Sequence, residues 1–497
     1  MKLKKIVFVL VFCLSIYVAL GCSQRPQTTL QPNPLSELRQ NLETVFSDPA
    51  FYNAHWGVAI QSLKTGEYLY LRNANKGFMP ASNMKLFTTA AALIKLGPDF
   101  KLRTEVYATG QVDEQGVLNG DLVVRGLGDP ALSGRYYDGN MTFVFQAWAD
   151  SLKKAGIRKI SGRIIGDDTF FDDELLGEAW SWDYQSDYYA AQISALTFND
   201  NCVDIIFTPG DSVGDSTFFR LEPATDYITL ENRVTTADKV RGTNIRLDRQ
   251  RGGNHVVCTG TLYKNENNHT EWVTVENPTR YTVKVLQSVL EKNGIIAKEV
   301  YDIDELPGFD YDKSHRVAIH YAPPMHEIIK TVNKVSQNLF AELLLRVIGK
   351  EYAGTGNADS GEQVAKELFA GMGIHPDEVF MADGSGLTRV DMVSPMSVIT
   401  LLRSMRQHTF GNYYYDSLPI AGVDGTISKR MQGTAAENNV RAKTGYINRV
   451  RALSGYVTTR DGEELVFSMI VNNYTVPTSL CNAKQDLVCE WLANFSR

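Results

Sequence analysis

Apolar residues recur on a helical period in some stretches of the chain and at every second position in others, and the two textures divide it into parts. Residues 35–45 carry an amphipathic helical pattern, and residues 55–63 and 67–71 read as two strands around the turn Lys64-Thr65-Gly66. Ser82 then opens a helix whose run 87–96, rich in Ala and Leu, ends at Gly97-Pro98, a stop signal that marks a buried helix. Beyond it the pattern changes to short alternating segments and glycine turns, at 103–108, 116–118, 121–125, 159–165, 202–208, 218–221, 227–231, 244–247, 255–263 and 270–275, with one helix from residue 141. Helical periodicity returns at 281–292. It dominates 325–332, 336–348, 361–371 and 394–406, with a strand at 317–320 ahead of them. Strands at 440–443, 451–458 and 464–472 and a helix at 486–495 close the chain. Strands near both ends with helices between them predict one sheet assembled from the two termini. Residues 99–278 then form an inserted, strand-rich region of one or two modules.

Composition adds the compartment and removes some partners. With 497 residues, 43% hydrophobic and 22% charged, the chain is large enough for two or three cores. Lys2, Lys4 and Lys5 precede an apolar run from 6 to 20, which reads as a cleaved export signal, residues 1–21. Ala19-Leu20-Gly21-Cys22 resembles a bacterial lipobox, so Cys22 is the expected lipidation site and membrane anchor, with ordinary secretory cleavage as the alternative. Residues 22–34, polar with Gln and Pro, form a tether. The net charge is −7, and removing residues 1–21 takes away three lysines and no acid, so no basic stripe for nucleic acid exists. Cys202, Cys258, Cys481 and Cys489 sit in a compartment that permits disulfides, and their pairing is open. Neither their spacing nor the eight scattered histidines suits a metal site, and no metal or organic cofactor is implied.

The candidate chemistry lies in three short motifs. Ser82 and Lys85 stand one helical turn apart on the same face, so an amine reaches a hydroxyl. That pair forms a nucleophile and base only if the amine's pKa falls from about 10.4 toward neutrality. We expect burial together with a second lysine, Lys443, to lower it. Ser151 and Lys154 have the same spacing on the polar face of a surface helix, so spacing alone is not enough. Ser336-Gln337-Asn338, the only Ser-x-Asn in the chain, opens a helix where a hydroxyl could pass a proton and an amide hold a substrate amide. Lys443-Thr444-Gly445 offers a cation and a hydroxyl for a carboxylate, and a glycine against which a substrate backbone can lie.

The order Ser-x-x-Lys, Ser-x-Asn, Lys-Thr-Gly is that of penicillin-binding proteins and class A β-lactamases. The long insertion after the nucleophile helix, Gly128-Asp129-Pro130, Asp383-Gly384-Ser385-Gly386-Leu387 and Gly422-Val423-Asp424-Gly425-Thr426 narrow the likeness. From about residue 35 to 495 the chain resembles the class C low-molecular-mass penicillin-binding proteins, the D-alanyl-D-alanine carboxypeptidases and endopeptidases. The resemblance implies an α/β fold. A serine β-lactamase/transpeptidase-like domain, residues 35–98 and 279–497, would have an antiparallel sheet flanked by helices and carry the insertion 99–278. It implies that Ser82 attacks the D-Ala-D-Ala carbonyl of a peptidoglycan stem peptide, with Lys85 as base. Ser336 would relay a proton, Asn338 orient substrate and Lys443 set the field. Thr444, with Gly445 and Tyr446, would bind substrate, the backbone N–H groups of Ser82 and Tyr446 would form the oxyanion hole, and β-lactams would inhibit. Tyr446 stands where the family usually has Ser or Thr, which puts carboxypeptidase activity below cross-link cleavage in the expectation. Gly166-Asp167-Asp168-Thr169 resembles the stretch that reaches the stem-peptide diamino acid, so Asp168 is carried as a substrate-binding residue. A β-lactamase or esterase on the same fold, and a catalytically silent wall-binding lipoprotein, are the alternatives.

Overall fold

The computed structural model describes residues 33–497; the expected signal segment, Cys22 and the tether as far as residue 32 lie outside the described residues. The first body is one sheet with helices on both faces. Its elements are α1 (Pro34–Phe46), β1 (His55–Ser62), β2 (Tyr68–Arg72), α2 (Met84–Leu96), α3 (Met325–Lys334), α4 (Asn338–Ala353), α5 (Pro395–Gln407), β3 (Arg441–Ile447), β4 (Val450–Thr458), β5 (Glu464–Asn472) and α6 (Thr478–Asn494). The strand order is β3-β4-β5-β1-β2, antiparallel throughout, and His55 pairs with Asn472, so the two ends of the chain meet in one ladder.

Side chains alternate across this sheet as its period of two demands. Val58, Ile60, Phe467 and Val471 pack under α1 and α6, while Ala59, Ala452, Val466 and Ile470 face the cluster built by α2, α3 and α4. Every residue of α2 from Met84 to Leu93 is buried, as expected of a helix with no polar face. Its C-terminus is closed by Gly97 with φ at 90°. No described helix is long and apolar enough to cross a membrane.

The second body has its own five-stranded mixed sheet, ordered Glu299–Asp302, Arg163–Asp167, Leu122–Gly126, Arg103–Ala108, His315–Tyr321. Three three-stranded sheets share its core. This body continues beyond residue 278, where the sequence pattern ends the insertion. Helix Pro278–Lys292 turns Tyr281, Val283, Leu286 and Leu290 into the second core, and strands 299–302 and 315–321 form the two edges of its sheet. The apolar face of that helix finds its partner in the strands before it, a fact periodicity alone does not carry. Cys202, Cys258, Cys481 and Cys489 are buried and unpaired.

Candidate active site

The nucleophile candidate does not begin the α-helix. Ser82 sits in a 3-10 turn, Ala81–Asn83, just ahead of α2, and Ala81 adopts φ 46°, a left-handed value uncommon for a residue with a Cβ. The turn is fastened from two sides. Asn83 donates from Nδ2 to the Lys443 carbonyl at 2.9 Å and accepts from Ser454 Oγ at 2.7 Å, tying the turn to β3 and β4. Two glycines allow the close approach: a Cβ on Gly445 would lie 2.5 Å from the Pro80 carbonyl oxygen, and one on Gly386 would lie 1.9 Å from that of Ala81.

Lys85, fully buried, lies 2.9 Å from Ser82 Oγ. Its Nζ also donates to Asn338 Oδ1 at 2.6 Å and to the Ser385 carbonyl at 2.7 Å. These last two oxygens only accept, so they occupy two N–H bonds, and a neutral amine is left with its lone pair toward the serine hydroxyl. Asn338 is held in that orientation because its Nδ2 donates to the Tyr189 carbonyl at 2.7 Å. The Ser385 carbonyl is aimed by a turn wrapped around Asp383, whose carboxylate accepts from the N–H of Ser385 at 2.9 Å, the N–H of Thr388 at 2.8 Å and Trp180 Nε1 at 2.8 Å.

Ser336 lies outside the helix expected to start there. It has φ 62°, and Gln337 caps α4 by accepting from the Leu339 N–H, so the hydroxyl of Ser336 is free of capping duty. Lys443 Nζ donates to Ser336 Oγ at 2.8 Å and to the Thr444 carbonyl at 3.0 Å. Ser82, Lys85 and Asn338 therefore form one hydrogen-bonded group, and Ser336 and Lys443 a second. Ser82, Ser336, Asn338, Thr444 and Tyr446 open onto a cavity of about 940 Å³, and Gly445 lies between the last two along β3.

Burial brings Lys85 down to about 7, against the pull of the Asp383, Glu342 and Asp391 carboxyls, which favour its charged form. Burial likewise holds Lys443 well below the usual lysine range, with repulsion from Lys85 and Arg451 adding to it. Burial, therefore, is the first cause for both amines, and no carboxylate is among the groups acting on Lys443. Beneath Lys85, burial and Asp383 push Glu342 up to about 7 while Arg346, at 3.1 Å, pulls it down. Asp391 is raised by burial and by Asp383.

Asp168 is not brought to this cavity. Its carboxyl accepts from Ser194 at 3.1 Å and from Thr279, and burial raises it to about 6. The Thr279 hydroxyl ties it to helix Pro278–Lys292, and Ser194 bonds it from outside that helix. The other Ser-x-x-Lys is equally remote in kind: Ser151 donates to the Ala147 carbonyl of its own helix and Lys154 is exposed. The cavity instead draws Asp183, Tyr188 and Trp272 from the second body, and Thr426 and Arg451 from the first. No spacing in the chain singled out the first three; Thr426 stands in a quoted glycine motif without an assigned role.

The D-Ala-D-Ala carboxypeptidase 3 (S13) family matches residues 38–495. A D-alanyl-D-alanine carboxypeptidase of Actinomadura sp. (strain R39) is 36% identical over 474 residues, 93% of this chain and 85% of that protein. The D-alanyl-D-alanine carboxypeptidase DacB of Haemophilus influenzae is 27% identical over 456 residues, 87% of this chain and 91% of that protein. The crystal structure of penicillin-binding protein 4 from Haemophilus influenzae covers 92% of this chain and 99% of its own, with a TM-score of 0.78 at 24% identity. The fold is thus that of the serine β-lactamase/transpeptidase type.

Proposed function

Because the chain belongs to the D-Ala-D-Ala carboxypeptidase 3 (S13) family, we propose that it hydrolyses the D-Ala-D-Ala bond of peptidoglycan stem peptides through an acyl-enzyme on Ser82. The observation that carries this reading is the 2.9 Å contact between Ser82 Oγ and a buried Lys85 whose other two neighbours are acceptors. Neutral Lys85 takes the serine proton as Oγ attacks the carbonyl carbon. The oxyanion is received by the backbone N–H groups of Ser82 and Tyr446. Ile447 and Val450 close the β3–β4 hairpin, and in an antiparallel ladder the residue before such a closing pair turns its N–H away from the partner strand. Ser336, held by Lys443, passes a proton to the departing amine, and water then releases the acyl group. Asn338 orients the peptide, Thr444 and Lys443 receive its carboxylate, and Tyr446 flanks it. A β-lactam enters the same path and stalls at the acyl stage. Cleavage of cross-links, export, and attachment through a lipid on Cys22 belong to the same proposal and rest on the sequence.

The base must be neutral to work, so acylation by a β-lactam rises about tenfold per pH unit below about 7 and levels above it. Glu342 titrates in the same range, so the limb describes the cluster rather than one amine. Stopped-flow or quenched acylation rates between pH 5 and 9 measure it, and a flat profile would contradict the assignment of Lys85 as base.

The reading as a whole is tested by incubating the protein with a D-Ala-D-Ala-terminated pentapeptide and with cross-linked muropeptides. Free D-Ala from the first and monomers from the second are expected. Rapid turnover of β-lactam without a lasting adduct would instead identify a β-lactamase.

A further inference from the structure

Lys443 is a fully buried amine whose hydrogen bonds go to two neutral oxygens and whose charged neighbours are both cations, Lys85 and Arg451. A site so arranged takes an anion as its ligand. Beside it, at the cavity wall, Thr444 Oγ1 donates to Thr426 Oγ1 at 2.8 Å. That bond spends the Thr444 proton, and the Thr426 hydroxyl is exposed to the cavity with its own proton still to give. Tyr446, two positions further along β3, offers no such donor at this spot. Tyr446 is 56% exposed and its ring lies 5.5 Å from the Arg451 guanidinium, which puts its hydroxyl at the far end of a ring.

The placement of Thr426 is fixed by a lock on the turn that carries it. Asp424 accepts from Lys334 Nζ and from the Ile420 N–H at 2.9 Å, and Lys334 also donates to the Leu418 carbonyl at 3.1 Å. Gly425, with φ 61°, lets the turn press against the same lysine: a Cβ there would lie 2.7 Å from the Lys334 carbonyl oxygen. Lys334 is the last residue of α3, two positions before Ser336, so one ion pair sets the separation of the Thr426 hydroxyl from the proton-passing serine.

We propose that Thr426 is a carboxylate-binding residue of this site, its hydroxyl paired with that of Thr444 to grip the terminal carboxylate of the bound peptide beside the Lys443 amine. The proposal rests on the reading of Ser82 as an acylated nucleophile and adds to it the group that selects carboxylate-terminated substrates. When the carboxylate arrives, Thr444 turns its proton from Thr426 Oγ1 to the carboxylate and Thr426 gives its own, and Lys443 gains the counter-anion it lacks, which favours its ammonium form. The grip contributes to binding of a ligand that carries the carboxylate and to nothing else, so its loss is selective.

The experiment compares acylation of the full chain by benzylpenicillin, which bears a free carboxylate, and by its methyl ester, followed by intact mass, for wild type, Thr426→Val and Thr426→Ser. Thr426→Val is expected to slow the acid about 10- to 100-fold, the range for losing a hydrogen bond to a charged group, and to leave the ester within about twofold. Thr426→Ser, which keeps the hydroxyl, is expected to stay close to wild type with both. Equal losses with acid and ester, as a misfolded or merely distorted site would give, overturn the proposal, as does an unchanged acid rate in Thr426→Val or failure of Thr426→Ser to preserve the preference. Failure of the underlying reading looks different: the wild-type chain then acquires no penicillin mass at all, and the proposal falls with it.

Discussion

Ser82→Ala abolishes the covalent penicillin adduct and lowers the turnover of a D-Ala-D-Ala peptide by about four to six orders of magnitude, the range found when a serine nucleophile is removed from a working site. The size follows from what remains. The alanine variant keeps the Lys85 amine, the Asn338 and Ser336 side chains and the backbone donors, so substrate still binds, but no atom is left to form the ester. Removal of one small hydroxyl from a turn pinned by Asn83 costs little stability, so the variant folds and the comparison is clean. Intact mass after exposure to benzylpenicillin reads the adduct, and D-Ala release reads turnover. A penicillin-sized mass increment on Ser82→Ala would place the nucleophile elsewhere.

The largest expected loss of stability lies one layer deeper. Arg346 and Glu342, one turn apart on α4, are 1% and 0% exposed and 3.1 Å apart, with the carboxyls of Asp383 and Asp391 close to the same glutamate. Arg346→Met leaves the buried Glu342 carboxyl without its ion-pair partner and costs about 3–5 kcal/mol, the usual penalty for breaking a buried pair. The sign with pH follows from Glu342. Its folded pKa, already raised to about 7 from an ordinary 4.5, rises further without the arginine. A carboxyl with a raised folded pKa opposes folding above its unfolded value, but wild type and variant share that penalty up to about pH 7, so the deficit grows from about pH 7 toward the variant's higher folded pKa and is smallest below it. Urea unfolding of both proteins at pH 5 and pH 8 measures the difference; equal deficits at the two pH values would show that lost packing, and not charge, is responsible. Replacing Glu342 as well, by Leu, restores much of the loss, because an apolar pair removes the unpaired charge.

The elements that were plain in the sequence are those whose signal is local. The apolar run of α2, its Gly97 stop, and the alternation in β1, β4 and β5 are each set by neighbours a few positions away, and the meeting of the first and last strands follows from there being helices between them. The three motifs stood out because each pairs a hydroxyl or amide with a fixed neighbour. What was not legible depends on distant partners. Ser336 reads as the start of a helix until Gln337 caps it, and nothing beside Asp168 in the chain shows that Ser194 and Thr279 donate to it. Glu342 and Arg346 look like the polar side of an ordinary helix, and only the turn around Asp383 turns that side inward. Helix Pro278–Lys292 has the same periodicity whichever sheet it covers, so its packing into the second core is not legible from its own residues.

The bond from Asn83 to the Lys443 carbonyl joins residues 360 positions apart, and β1, paired early with β2, finds its second neighbour only in β5. On the ribosome, Ser82 and Lys85 therefore exist through most of the chain's synthesis without the strand that backs them, and the first strand waits with an unfilled edge. Contacts this distant in sequence form late and slowly. A nascent chain consequently has no finished hydrolytic centre until nearly its last segment is made, and truncation ahead of residue 441 yields a product in which the serine is present but idle.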